Sequence, residues 1–282
     1  MITAKYLSDY TKIENKKKQK LIFFTNNLYN CTMSLNSKFL NIRHSIKYKS
    51  LQPFKFFIQK KRYKKNREIA ISLLSNDSSV KEIEKSVLKN KFVKEYDEFK
   101  KSNDKAMEKF SNISRQDKIR LHGVQYPELL YIIMRIINPS RVLETGVWLG
   151  LSTNSILASG IKNNKKFTLD SIDLPRSDVK NAESYIGILV DDEFKLNWKL
   201  YIGKDRTFVR QLIKKHKYSF FYFDSDKSLG GKLFLLNEVL KNTNDFFIIF
   251  DDLEDNLFWY RNELKHLNKI AIKYGNKYIG LI

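Results

Sequence analysis

Arg141-Val-Leu-Glu-Thr-Gly-Val-Trp-Leu-Gly-Leu-Ser-Thr153 joins an apolar run to two glycines and a helical pattern. Val142 and Leu143 form an apolar run leading to Glu144, Gly146 and Gly150 follow with three residues between them, and a helical pattern begins at Leu151. The order is strand, glycine turn, helix N-terminus. Glycine lets a backbone turn sharply and lets a ligand approach closely, while the first unpaired N–H groups of a helix are electropositive. At the carboxyl edge of a parallel sheet, such a turn is where doubly wound folds bind nucleotides. It also serves as a plain strand-to-helix connection, so the flanking sequence has to decide.

Downstream, short β-rich apolar runs alternate with helical stretches. The strands expected are 141–145, 167–173, 198–202, 218–224 and 245–251, then 268–274 and 276–282. Strands separated by helices point to a parallel sheet covered on both faces. The last two flank only Gly275-Asn276, a hairpin signal, so the sheet should end on an antiparallel strand. Upstream, Pro127 opens a helix through Leu129, Leu130, Ile133, Met134 and Ile137, which Asn138-Pro139 ends. Ser79 with Glu82 reads as a capping box, starting a helix whose stripe Val80, Ile83, Val87, Phe92, Tyr96 and Phe99 faces inward. That segment has no chemistry on it and suits packing or oligomerisation, over roughly 80–110.

The 282 residues carry a net charge of +21, placed unevenly. Residues 1–67 hold 17 Lys or Arg against Asp9 and Glu14, a balance of +15, which leaves +6 for the remaining 215. Such an arm can meet an anionic membrane, nucleic acid or an acidic partner, and drift in nucleotide composition explains it equally well. Residues 1–53 show no sustained period and read as poorly ordered or locally helical; Met33 is an alternative start. From Pro53, Phe54, Phe57 and Ile58 alternate with lysines and arginines as in a basic amphipathic helix, which suits either a membrane surface or packing on the domain. The organisation expected is a basic extension over 1–78, an amphipathic helical segment over 79–119 and a main domain over 120–282. Cys31, alone, excludes an internal disulfide framework and, with four scattered histidines, a Cys/His zinc cluster. A reducing cytoplasmic location follows as the simpler expectation, with peripheral membrane contact through the arm. No apolar run reaches the ~18 residues of a membrane-spanning helix.

Acids end several strands. Asp173 closes Ser171-Ile-Asp173, Asp205 follows Gly203-Lys204, and Asp224, Asp251 and Asp252 end two Phe-rich strands, so these three can converge at one rim. Crowded carboxylates repel unless protonated or shared by a cation, and a hard ion such as Mg²⁺ suits them.

Five parallel strands with a C-terminal hairpin, and Glu-Thr-Gly-x-x-x-Gly-x-Ser-Thr after the first, resemble the class I S-adenosylmethionine-dependent methyltransferases over about residues 120–282. A nicotinamide-binding fold is the nearest competitor, but Trp148 stands where its fingerprint has a second glycine. The resemblance implies a doubly wound, mostly parallel seven-stranded sheet and an S-adenosylmethionine site. Glu144, Gly146, Trp148, Gly150, Ser152 and Thr153 would wall the methionine part, Asp173 would take the ribose hydroxyls and Asp205 would stand near the adenine. Asp224, Asp251, Asp252 and Lys227 resemble the cation-dependent O-methyltransferases, whose acids hold Mg²⁺ and whose lysine takes the acceptor's proton. Those enzymes have Asp-Asn where this chain has Asp251-Asp252. Asp-Ser-Asp-Lys also resembles Asp-Ser-Asp-His of a glycan and natural-product methyltransferase group, in which a metal-free site is the alternative and Lys227 with Asp226 or Asp252 supplies the base. The implied activity is O-methylation of a sugar, glycan precursor or small natural product. A catechol-like acceptor, an RNA 2′-hydroxyl and a non-catalytic assembly role stay open. His122, Gln125, Trp259 and Tyr260 are the candidates for holding the acceptor.

Overall fold

The computed structural model describes residues 52–117 and 125–282, with side chains from Lys61 and without those of 114–117. The lone Cys31, Met33, the arm before Gln52 and His122 lie outside what it describes, as do the side chains of 54–58. Tyr63–Ile282 forms one compact unit, divided from the chain before it at Arg62.

The sheet has eight strands in the order β1-β7-β8-β6-β5-β2-β3-β4. These are β1 (Lys81–Glu82), β2 (Arg141–Thr145), β3 (Thr168–Asp173), β4 (Trp198–Ile202), β5 (Phe220–Phe223), β6 (Phe247–Phe250), β7 (Ile270–Tyr274) and β8 (Lys277–Leu281). Only β8 runs antiparallel to its neighbours. The expected strands all form, trimmed by one or two residues at some ends. The eighth, β1, is an addition.

Alternation along the central strands explains the two-faced core. Val142, Leu169, Phe220, Tyr222 and Ile249 pack on one side, against Leu129 and Leu130 of one helix and Ile156 and Leu157 of another. Leu143, Ile172, Phe221, Phe223, Ile248 and Phe250 pack on the other, with Val209, Leu212, Leu235 and Leu236. Helices therefore cover both faces, as a parallel sheet requires. They are α1 (Gln52–Ser75), α2 (Lys85–Lys91), α3 (Val93–Asp117), α4 (Pro127–Ile137), α5 (Leu151–Asn163), α6 (Asp205–Lys215) and α7 (Leu229–Asn242).

The helix expected from Ser79 does not start there. Asp77 Oδ1 accepts from both the Ser79 amide and its hydroxyl, at 2.9 and 2.6 Å, which makes a turn of the residue meant as a cap. Lys81 and Glu82 extend along β7, the Ile83 amide donates to the Lys273 carbonyl, and the Glu82 carboxylate meets Lys273 Nζ at 2.8 Å. An open sheet edge thus outcompetes the local cap. Helix α2 starts only at Lys85, and Val87 of the expected inward stripe is 52% exposed while Leu88 is buried.

The chain runs β2, β3, β4 in one direction across the sheet and returns to lay β5 beside β2. The switch point between β2 and β5 is where an open α/β sheet offers a crevice at its carboxyl edge.

Candidate active site

A cavity of about 590 Å³ opens at this switch point, within the range of small-molecule sites, ~300–1,000 Å³. Gly146, Trp148, Ser152, Asp173, Asp205, Asp224, Lys227 and Asp251 all line it. Two well-separated stretches of sequence, the glycine turn and the acidic rim, therefore face one space.

Gly146 makes the junction possible. Its φ is +88°, and a Cβ there would stand 2.7 Å from the Asp224 carbonyl group. Only glycine lets the β2 turn pass this close to the end of β5. Asp224 is itself fixed by its amide, which donates to the Thr145 carbonyl at 2.8 Å. Trp148 also takes a left-handed conformation, φ +47°. Its amide donates to Asp173 Oδ2 at 2.6 Å, the Val147 amide donates to the same oxygen at 3.2 Å, and Leu174 N donates to Oδ1 at 2.8 Å. Asp173 thereby holds the turn's shape. Burial pushes its carboxyl up, against the pull of those three amides. Trp148 Nε1 is buried at the cavity wall without a partner, and the Arg176 guanidinium stacks 4.9 Å from the indole ring centre.

Glu144 and Thr153 are placed behind the cavity rather than in it. Glu144 is fully buried and accepts from Ser152 Oγ (2.7 Å), Thr153 Oγ1 (2.8 Å) and Ser171 Oγ (2.7 Å). Gly150 is the left-handed residue before α5 and does not line the cavity either. Asp205, at the first turn of α6, accepts from Ser225 Oγ, and burial pushes its carboxyl up.

Three acids cluster at the rim. One oxygen from each of Asp224, Asp251 and Asp252 lies within 4.8 Å of the others. Asp224 Oδ1 is buried without a hydrogen bond; Lys227 Nζ stands 2.8 Å away as an ion pair. Lys227 also pairs with Asp252 Oδ2, and Lys277 of β8 pairs with Asp252 Oδ1. The Asp252 amide donates to Asp251 Oδ1 at 2.7 Å, and Lys232, buried, donates to the carbonyls of Asp251 and Asp252. Burial and the nearby Asp251 push Asp224 well up. Burial also opposes the charge on Asp252, but Lys227 and Lys277 outweigh it and hold that carboxyl below its ordinary value. A buried carboxylate oxygen met by an ammonium, beside two further carboxylates, fits a hard divalent ion.

Lys227 is charged by its neighbours in this unliganded arrangement. Burial does work to lower its pKa, yet Asp224, Asp252 and Asp251 together raise it. In this arrangement Lys227 is a donor to Asp224 and Asp252. Trp259 and Tyr260 do not line the cavity: Trp259 is buried against the hairpin near Gly280, and the Tyr260 hydroxyl donates to Asp77 at 3.2 Å. Gln125 is exposed and also absent from the lining.

Neither a protein-family model nor a curated protein matches the sequence. Solved structures do. Cofactor-bound Rv0187 from MTB aligns with a TM-score of 0.50 at 11% identity, over 63% of this chain and 88% of that one. That likeness is one of fold. An O-methyltransferase from Bacillus cereus in complex with SAH is similar at 14% identity, TM-score 0.48, covering 63% of this chain and 90% of its own. TomG, an O-methyltransferase from Streptomyces achromogenes in complex with SAM, stands at 16% identity, TM-score 0.47, with 62% and 86% covered.

Several residues of this site carry no signal in the sequence. Lys277 reaches the acids from the terminal hairpin, and Lys232 from one turn inside α7; nothing in their local pattern separates them from other lysines. Tyr126 and Tyr222 bring their hydroxyls within 3.4 Å of each other, buried beneath the rim, where burial pushes both phenols well up. Asp226 lines the cavity and packs against Gly231, where a Cβ would stand 2.2 Å from its carboxyl carbon.

Glu144 makes a pH prediction. Burial pushes its carboxyl up to about 7, against three hydroxyl donors that pull it down. The unfolded group titrates at about 4.3. Between these values the folded chain holds a proton the unfolded chain has released, so this contribution is full below about pH 4 and is lost as pH rises through 7. Glu144→Gln should remove a pH-dependent difference on the order of 3 kcal/mol between pH 4 and 8. Urea unfolding of both proteins across that range checks it; identical pH profiles would contradict the assignment.

Proposed function

We propose that the chain is an S-adenosylmethionine-dependent O-methyltransferase whose acceptor is the hydroxyl of a sugar, a glycan precursor or a small natural product. The observation that carries this reading is the single cavity joining the Gly146 turn and Asp173 to the rim of Asp224, Asp251 and Lys227. The unpaired Trp148 Nε1 and the spare lone-pair capacity of Asp173 suit a polar nucleoside ligand at one end. Bound there, S-adenosylmethionine supplies a methyl group already activated on sulfur, and Mg²⁺ on Asp224, Asp251 and Asp252 supplies Lewis-acid polarisation of an oxygen.

The chain's own residues then have two tasks. The turn 146–152 and Asp173 fix one reactant against the cavity wall, so that reaction with an acceptor at the rim is effectively unimolecular. Lys227, as an ammonium, donates to the acceptor oxygen and stabilises the negative charge developing on it. The proton of the acceptor hydroxyl goes to a carboxylate of the cavity wall. Asp226 is the one we assign, since Gly231 leaves room for it and its Oδ1 takes only the short local contact from Ser228 N, at 3.0 Å.

The basic residues before Tyr63 give the protein a means of meeting an anionic surface, which suits a lipid-linked or otherwise anionic glycan precursor. Among the described residues, no helix is long and apolar enough to cross a membrane. Incubation of the full chain with methyl-labelled S-adenosylmethionine and a panel of sugars, sugar conjugates, catechols and short RNAs tests the reading. Label should pass to a sugar-type hydroxyl. Transfer to RNA alone would overturn the acceptor class.

A further inference from the structure

The rim brings its own cations to the carboxylates assigned to a divalent ion, and the inference drawn from this rests on that proposed function. Asp252 is met on both oxygens: Lys227 pairs with Oδ2 and Lys277 with Oδ1. Lys227 also stands 2.8 Å from the buried Asp224 Oδ1. The Lys227 ammonium thus bridges two of the three prospective ligands, and a divalent ion shared by those ligands would have to take its place.

The two lysines are held differently. Lys277 comes from the β8 strand, has 19% of its side chain exposed and lies 3.6 Å from a second carboxylate, Glu254 Oε1. Lys227 comes from the turn between β5 and α7 and has 41% of its side chain exposed, and both lysines line the cavity. Its backbone is secured independently, because Asn256 Nδ2 donates to its carbonyl at 2.7 Å. The Asp251–Asp252 turn is secured independently as well, through Lys232 and the two backbone carbonyls. The frame therefore keeps its shape if the Lys227 side chain leaves.

We propose that Lys227 is a displaceable internal counter-ion, bridging Asp224 and Asp252 until a divalent cation enters and then swinging into the cavity toward the acceptor, while Lys277 stays on Asp252 and Glu254. The balance of charge supports this: the three aspartates are compensated within the protein by neighbouring lysines, so the rim is not left as bare repelling acids. It also means that cation affinity is set by competition with a side chain of the same chain.

Calorimetric titration with MnCl₂ at one fixed pH, on the full chain saturated with S-adenosylhomocysteine, tests the idea. Wild type is compared with Lys227→Met, Lys227→Gln and Lys277→Met, with melting curves as the check on folding. Both Lys227 variants should bind Mn²⁺ at least ~10-fold more tightly than wild type, while Lys277→Met changes by less than ~3-fold. Lys277→Met removes the same charge from the same carboxylate, so an equal gain in all variants would reduce the effect to net charge and overturn the proposal. Unchanged affinity in the Lys227 variants would overturn it too, as would Mn²⁺ binding to none of the proteins. In each of those cases S-adenosylhomocysteine still binds, and the methyltransferase reading stands. Failure of S-adenosylhomocysteine to bind wild type would instead remove that reading.

Discussion

Replacing Asp173 by alanine is expected to weaken binding of S-adenosylhomocysteine by about 100-fold. Two losses combine. The Val147 and Trp148 amides both donate to Asp173 Oδ2, and without it the turn that bears Trp148 in a left-handed conformation loses its anchor. The carboxylate facing the cavity is also gone, and hydrogen bonds to a charged group contribute about 1.5–3 kcal/mol, or roughly 10- to 150-fold. Asp173→Asn should cost less, about 10-fold, because one oxygen survives for Trp148 N while the amide nitrogen faces the Leu174 N–H. Calorimetry with paired melting curves reads this. A folded Asp173→Ala protein that binds within ~3-fold of wild type would reduce Asp173 to a turn anchor.

The second large effect separates the two roles at the rim. Asp226→Asn should lower kcat by about 10²- to 10⁴-fold, the usual contribution of a general base, with cofactor affinity little changed. Lys227→Met should lose about 10²-fold, the scale of one oxyanion donor, because Asp226 remains to take the proton. The ranking is what matters. If Lys227→Met is the more damaging and Asp226→Asn nearly neutral, the proton belongs on Lys227, and the three carboxylates that hold it charged must be neutralised during turnover.

The strands were legible because their signal is physical and local. Phe220-Phe-Tyr-Phe223 and Phe247-Ile-Ile-Phe250 are apolar at every position, since consecutive residues feed the cores on opposite faces. The hairpin at Gly275-Asn276 was legible for the same reason. The end of each strand then fixed where its acid would stand, so the meeting of Asp173, Asp224 and Asp251 around one cavity followed from topology.

What stayed hidden depends on partners distant in the chain. Glu144 reads as a cofactor wall from its motif, but Ser152, Thr153 and Ser171 close over it and leave it no face to the cavity. Ser79 reads as a helix cap because its local pattern is sound; the edge of β7, far along the chain, offers β1 a better set of hydrogen bonds. Lys227 is legible as a residue near the acids. Whether it is charged depends on how three carboxylates and Lys277 are arranged around it, which no spacing encodes.

The cavity between the Gly146 turn and the acidic rim should bind S-adenosylmethionine and its demethylated product. Calorimetric titration of the purified full chain with S-adenosylhomocysteine reads this out. One site per chain is expected, with affinity in the micromolar range, about −8 kcal/mol, and a matching rise in melting temperature. A folded protein that gives no heat and no melting shift with either S-adenosylhomocysteine or S-adenosylmethionine would contradict it.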